Sequence, residues 1–330
     1  MPQCIFCLQE KERLTDEHVF PAALGGVLVL GNSVCAECNN GFSKFEQPLA
    51  VELAPLRLLL QIPDRRGKVP ETAATVKTLD GEYKAMMKGD GSVQLKPVVT
   101  EIAGTKGVRE FLYQFATERQ KEKLRQEARE KRIDLIESGP GNPQQAEVHF
   151  GGELEFIGSL GGLRTASKIA YVGLAERSGV KVAASDSFNE VRAYVREGTG
   201  KPTSRLFVHE GFLEAVQQGP HQHSLILAAR HDKGRVDAIV RLFGGLCYFI
   251  ELSDHYVGAD FSCTLVNDAY RGELNDVLQS RVDAEMWQTE YVATSGETVW
   301  DDLAASGERF IKFLDAEIQS KLEPDRAQSV

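Results

Sequence analysis

The 330-residue chain has no apolar run long enough to span a bilayer, and it does not open on the basic, hydrophobic segment of a secretory signal. Neither a membrane protein nor a secreted one is expected, and the expected compartment is the cytoplasm. Positive charge is in short supply: 38 Lys and Arg face 48 Asp and Glu, a formal net charge of −10. Coating nucleic acid indiscriminately requires the opposite balance at the contact surface, so that class is excluded, whereas a local basic groove is not. Cysteines number six, and a chain of this length can bury a substantial core without cross-links. A disulfide scaffold is therefore not expected. Repeats of fixed period are absent as well.

The cysteines are unevenly spread. Cys4, Cys7, Cys35 and Cys38 fall in the first 38 residues, as two C-x-x-C pairs separated by 27 residues. That is the arithmetic of a tetrahedral four-thiolate zinc site, in which each pair forms one knuckle and the intervening chain a loop or hairpin. Cys247 and Cys263 lie within apolar runs and read as small buried side chains.

Between the knuckles stands "LTDEHVFPAALGG", Leu14 to Gly26, which places a carboxylate and an imidazole before a proline and a double glycine. Hydrolysis of a phosphodiester with a metal needs a base for water, hard ligands for a divalent cation and a scaffold that holds them together. His18 has an ordinary pKa near neutrality and can take the proton. Glu17 supplies a hard oxygen. Asn39 follows the last cysteine directly, so a zinc knuckle would fix its position, and its amide oxygen suits Mg²⁺ or Mn²⁺ better than zinc. Asn40 competes for that role, because helix phase could turn either amide inward.

"CIFC", "DEHVFPAALGG" and "CAECNNGFSKFE", in that order, resemble the four-cysteine branch of the HNH (ββα-metal) endonuclease superfamily. The resemblance covers about the first 46 residues. Carried over by position, it implies His18 as general base, Glu17 and Asn39 as ligands of a catalytic Mg²⁺ or Mn²⁺, and Cys4, Cys7, Cys35 and Cys38 as ligands of a structural zinc. Asn32 would be the middle Asn of the family's name, although it lies closer to Cys35 than is usual. The family often has Asp in place of Glu17. Ser43 stands where the His-rich variant of the site has a further histidine, so that variant is not expected. The resemblance also implies DNA as substrate, 5′-phosphate products and an antiphage or mobile-element setting. "GGLRTASKIAY" is similar to a segment of longer HNH proteins whose C-terminal domain has no defined role.

The expected fold class is α+β: a ββα-metal module over residues 1–50, a β-meander and long charged helix over 51–145, and a C-terminal α+β domain over 146–330 that selects substrate, oligomerises or regulates. Within the module a helix is expected from Cys38 to Pro48. Asp80-Gly81 and Asp90-Gly91 mark hairpin turns. "VREFLYQF" and the charged run after it read as one helix, with nine basic residues against six acidic between Lys106 and Asp134. "LRTASKIAYVGLAERSG" reads as an amphipathic helix ended by Gly179, and "SFNEVRAYVREG" as a helix opened by a Ser187–Glu190 capping box. Three apolar runs from His223 to Leu252 read as an antiparallel meander, and the tail after Gly272 as helix. His221, His223 and His231 lack a carboxylate or cysteine at ligand spacing and are not read as a second metal site.

Arg57, Arg65, Arg66, Lys68 and the basic helix near Lys121 to Arg132 are the candidate phosphate contacts. Because the chain is acidic overall, binding is expected to be weak and strongly salt-dependent unless a second copy or a regulatory partner completes the groove. The competing reading is a non-catalytic zinc ribbon that binds nucleic acid or protein.

Overall fold

A computed structural model of the chain describes residues 1–64, 66–78, 81–96, 98–102, 110–114, 118–131, 147–150, 158–200, 203–206 and 219–277. Two compact units emerge, one of residues 1–68 with 153–330 and one of residues 69–152. As expected, helices mix with antiparallel sheets throughout.

The first unit opens with the knuckle around Cys4 and Cys7, then strands β1 (Thr15–His18) and β2 (Val29–Val34), paired antiparallel. Gly26 turns the chain between them at a place without room for a side chain, since a Cβ there would lie 2.0 Å from the carbonyl oxygen of Phe20. Helix α1 (Ala36–Glu52) follows. It starts before Cys38 and continues through Pro48 instead of ending there. Proline in a helix removes one backbone hydrogen bond, but Leu49, Ala50 and Leu53 beyond it are all buried and hold the last turn in place. Helix α2 (Ala54–Leu59) has Pro55 in its first turn, where the missing N–H has no helical partner to lose.

The second unit holds the expected meander: β3 (Thr72–Thr78), β4 (Gly81–Met87) and β5 (Val93–Leu95). The β4–β5 turn is closed by Gly91, whose φ of 78° a side chain would resist and whose N–H donates to Lys88. Strand β6 (Val98–Ile102) pairs antiparallel with β7 (Glu110–Gln114). The helix expected to start in "VREFLYQF" is thus a strand over Glu110–Gln114, because the apolar run Phe111-Leu112-Tyr113 is too short for its period to separate helix from strand, and its aromatic residues favour strand. Helix proper, α3, spans Glu118–Lys131 and carries internal ion pairs from Lys123 to Glu127 and from Arg125 to Glu122. Strand β8 (Glu147–Phe150) adds to β3, giving the order β5-β4-β3-β8.

Back in the first unit, helix α4 (Leu160–Ser178) is capped by the Ser159 hydroxyl and ended by Gly179, as read. Short α5 (Val180–Ala183) leads to α6 (Asn189–Glu197), ended by Gly198 at φ 70°. The capping box expected at its start is not made, because Ser187 lies inside a 3-10 turn over Asp186–Phe188 and Phe188 takes the N-cap position. Strands β9 (Ser204–Leu206), β10 (Gln222–Arg230), β11 (Arg235–Leu242), β12 (Leu246–Ser253), β13 (Phe261–Asp268) and β14 (Glu273–Val277) form one antiparallel sheet in the order β14-β13-β10-β11-β12-β9. The His223–Leu252 meander is its centre. Where helix was expected after Gly272, Glu273–Val277 is strand; the rest of that tail lies outside the described residues.

Helix α4 organises the core. Thr165 to Ala175 are buried without interruption, the signature of a helix enclosed on every side. It packs against α1, α6 and strands β9 to β12. Gly173 allows the closest approach: a Cβ there would lie 2.0 Å from Leu225 of β10 and 3.4 Å from Val19. The residues around the cysteines, the helix and the sheet share a single apolar core. No described helix is long and apolar enough to cross a membrane.

Candidate functional site

The four N-terminal cysteines meet as their spacing requires. One sulfur from each of Cys4, Cys7, Cys35 and Cys38 lies within 4.8 Å of the others, and the Cys7 and Cys35 sulfurs are 3.8 Å apart. A tetrahedron of thiolates about 2.3 Å from zinc has edges of about 3.8 Å, so the donor set and its size both suit that ion. The first knuckle is closed by the Leu8 N–H donating to the Cys4 carbonyl and the Cys4 N–H to Gln9. The second stands at the N-terminus of α1, where helical dipoles favour anionic sulfur. Crowding separates the thiols: Cys4 is lowered to about 4, chiefly by the hydrogen bond from Cys38, and Cys38 is raised by the same contact. Four thiols this close hold several negative charges only with a cation among them.

The zinc knuckle fixes where α1 begins, and so places Asn39 against β1. The Asn39 amide donates to the Thr15 hydroxyl at 2.9 Å and to the Asp16 carbonyl at 3.1 Å, which leaves its Oδ1 as the atom able to ligate. Asn40, by contrast, is exposed. Along β1 the residues alternate: Asp16 is exposed, Glu17 buried and His18 half-buried. Asn32 is exposed on β2 with a φ of 46°, and its backbone N–H donates to the Asp16 carboxylate. Asn39 and Asn32 are thus brought to the Thr15–Asp16 end of the strand, and Glu17, next along it, is buried.

Residues 4–53 match the HNH endonuclease family model. The matched stretch contains both knuckles, β1, β2 and α1, and for that similarity it is called the HNH module below. No curated protein and no solved structure matches the chain.

What Glu17 of the HNH module meets comes from outside the matched stretch. Lys168 of α4 is completely buried, and its ammonium contacts the Glu17 Oε1, the Glu46 Oε1 at 2.9 Å and the His18 carbonyl at 2.7 Å. Burial alone would pull the lysine pKa down, but Glu46 and Glu17 outweigh it, and the pKa stands above its ordinary value. For Glu17, burial raises the pKa against the pull of Lys168, and Glu46 adds to the rise. Two carboxylates thus share one ammonium. The other Glu17 oxygen, Oε2, is buried without a hydrogen-bond partner among the described residues. A buried carboxylate oxygen left in that state is costly, and a divalent cation is the kind of group that would satisfy it.

Three more contacts from the C-terminal segment seat the HNH module. The Tyr171 hydroxyl, one turn along α4 from Lys168, lies 2.8 Å from the Ile5 carbonyl inside the first knuckle. His223 of β10 meets the Leu24 carbonyl at 2.8 Å, and Asn267 of β13 accepts from Val27 and donates to Gly25. His221 stacks near Tyr270, and the backbone N–H of His231 donates to Asp260. Among the described residues the four cysteines are the one cluster of three or more candidate metal ligands.

Sequence reasoning missed Lys168 and Glu46 as neighbours of Glu17. The available signal was a lone lysine in "TASKIAYVG", since a charged residue within an apolar helix must find a partner when it is buried. Of the candidate phosphate contacts, Arg57 is corrected. It is buried at 5% exposure with its guanidinium on the Ile62 carbonyl, because the apolar run around it folds inward. Arg65 and Arg132 lie outside the described residues.

Proposed function

We propose that this protein is a metal-dependent endonuclease that hydrolyses phosphodiester bonds in nucleic acid, with DNA as its substrate, and that the HNH module is its catalytic part. The observation that carries the reading is the family match over a stretch whose zinc knuckle sets Asn39 against the strand bearing Glu17 and His18. In this reading His18 takes a proton from water, which attacks the phosphorus in line with the leaving 3′ oxygen. Glu17 and Asn39 are the residues that would hold a Mg²⁺ or Mn²⁺, which would supply charge stabilisation to the phosphate. Asp16 keeps Asn32 in place and accepts from Asn39 through its carbonyl, so the β1–β2 pair and α1 stay in register. The four cysteines hold zinc and serve structure alone. A cytoplasmic location, a partner or second copy that completes the groove, and a setting in antiphage defence or mobile elements belong to the same reading.

The test is cleavage of plasmid by the purified, zinc-loaded chain with Mg²⁺ or Mn²⁺. Nicking or linearisation is expected, abolished by His18→Ala with zinc content unchanged. Normal cutting by His18→Ala would remove it as the base.

One observation favours a second reading. The Glu17 carboxylate is engaged by a buried lysine, as a structural ion pair in a non-catalytic zinc-ribbon adaptor would be. The same assay separates the two, because an adaptor leaves DNA and RNA uncut with every metal.

A further inference from the structure

Lys168 lies 150 residues from His18 in sequence, yet its ammonium sits among three oxygens of the HNH module. Two belong to carboxylates, Glu17 and Glu46, and the third is the backbone carbonyl of His18. The lysine has no exposure, and the Glu17 side chain only 5%. A purely structural ion pair satisfies its carboxylate as far as geometry allows. Here one carboxylate oxygen is taken and the other, equally buried, has no hydrogen-bond partner among the described residues. The same ammonium also ties down the backbone of the neighbouring residue, so the orientation of Glu17 and the path of the strand at His18 are set by one group.

Resting on the nuclease reading above, we propose that Lys168 is the positioning residue of the candidate site: it holds Glu17 Oε1 and the His18 carbonyl so that Glu17 Oε2 is presented to a divalent cation. Groups that hold a ligating carboxylate from behind typically change metal affinity or activity by about 10–100-fold when removed. The assignment makes the site composite, since its ligand sits in the family-matched module and the group orienting that ligand sits in α4. Glu46 has a different part. It shares the ammonium and keeps Lys168 charged without being placed as a ligand.

The experiment is a Mn²⁺ titration, read by electron paramagnetic resonance, of the full-length zinc-loaded chain and its Glu17→Gln, Lys168→Met and Lys168→Met/Glu46→Gln variants. The double variant guards against failure of the single one to fold, because it leaves Glu17 alone with the same net charge as the native trio. One Mn²⁺ is expected on the wild type, lost in Glu17→Gln and weakened about 10–100-fold in either Lys168 variant at unchanged zinc content. Unaltered Mn²⁺ affinity in a folded, zinc-loaded Lys168 variant would overturn the assignment, and so would a wild type with no Glu17-dependent Mn²⁺. A wild type that binds Mn²⁺ through Glu17 but cuts no nucleic acid defeats the nuclease reading and leaves the role of Lys168 standing.

Discussion

His223 joins the loop after His18 to the large sheet, and its protonation should weaken the fold in a defined pH window. Its ring is completely enclosed, between Phe20 and Phe243. The Phe243 N–H donates to Nδ1 at 3.1 Å, so Nδ1 carries no proton, and Nε2 is therefore the protonated nitrogen that donates to the Leu24 carbonyl. A second proton would have to displace the Phe243 bond and place a charge where water cannot reach it. Burial accordingly lowers the pKa from its ordinary 6.5 to about 4. Between those values the unfolded chain binds a proton that the folded chain does not, so stability is complete above pH 6.5 and falls as pH drops towards 4. The gap corresponds to about 3 kcal/mol from this one residue.

The assay compares wild type with His223→Gln, by urea denaturation at pH 7, 6, 5 and 4.5. Glutamine can retain a hydrogen bond in the cavity but cannot titrate. Zinc loss and carboxylate protonation act on both proteins, so the difference between their stabilities isolates the imidazole. Wild type should lead at pH 7, and its lead should shrink by about 2 kcal/mol or more by pH 4.5. Parallel pH profiles would refute the buried neutral histidine.

Two further perturbations follow from the same anchors. Cys35→Ser removes one of four thiolates and should abolish stoichiometric zinc, read by metal analysis, with a lower thermal midpoint because the knuckles share a core with α4; a variant that keeps one zinc per chain would exclude the four-cysteine site. Tyr171→Phe removes the hydroxyl whose one proton is shared between the carbonyls of Ile5 and Ala183, both at 2.8 Å, and should cost about 1–3 kcal/mol in urea denaturation with zinc retained; an unchanged midpoint would show that this hydroxyl does not seat the knuckle.

What the sequence made legible was local. Two C-x-x-C pairs imply a cluster because their spacing is that of a four-thiolate zinc site, and they meet. The meander from His223 to Leu252 showed as apolar runs between turn signals, and its strands pair in register. Errors arose where a local signal lost to tertiary context. Pro48 reads as a stop, but buried residues beyond it carry α1 onward. The Ser187–Glu190 pattern reads as a capping box, but a 3-10 turn over Asp186–Phe188 takes up the serine and moves the N-cap of the helix to Phe188. Asn39 and Asn40 were indistinguishable by type; only the start of α1, set at the second knuckle, turns Asn39 onto Thr15 and leaves Asn40 in solvent.

Glu17 shows why a motif cannot state its own electrostatics. In sequence its neighbours are Asp16 and His18, and a carboxylate beside an imidazole suggests a pair. Strand alternation separates them, sending Glu17 into the core, where an isolated ionised carboxylate would be prohibitively costly. A cation is then obligatory, and the module has none placed to supply it: the ammonium that does so belongs to α4. Lys168 and Tyr171, three residues apart and hence neighbours along one helix face, reach β1 and the first knuckle respectively. The glycine two residues beyond Tyr171 allows that helix close enough to Val19 and Leu225 for both contacts to form. Strand, knuckle and helix therefore depend on one another, and the buried cation beside Glu17 comes from a helix that the matched stretch does not contain.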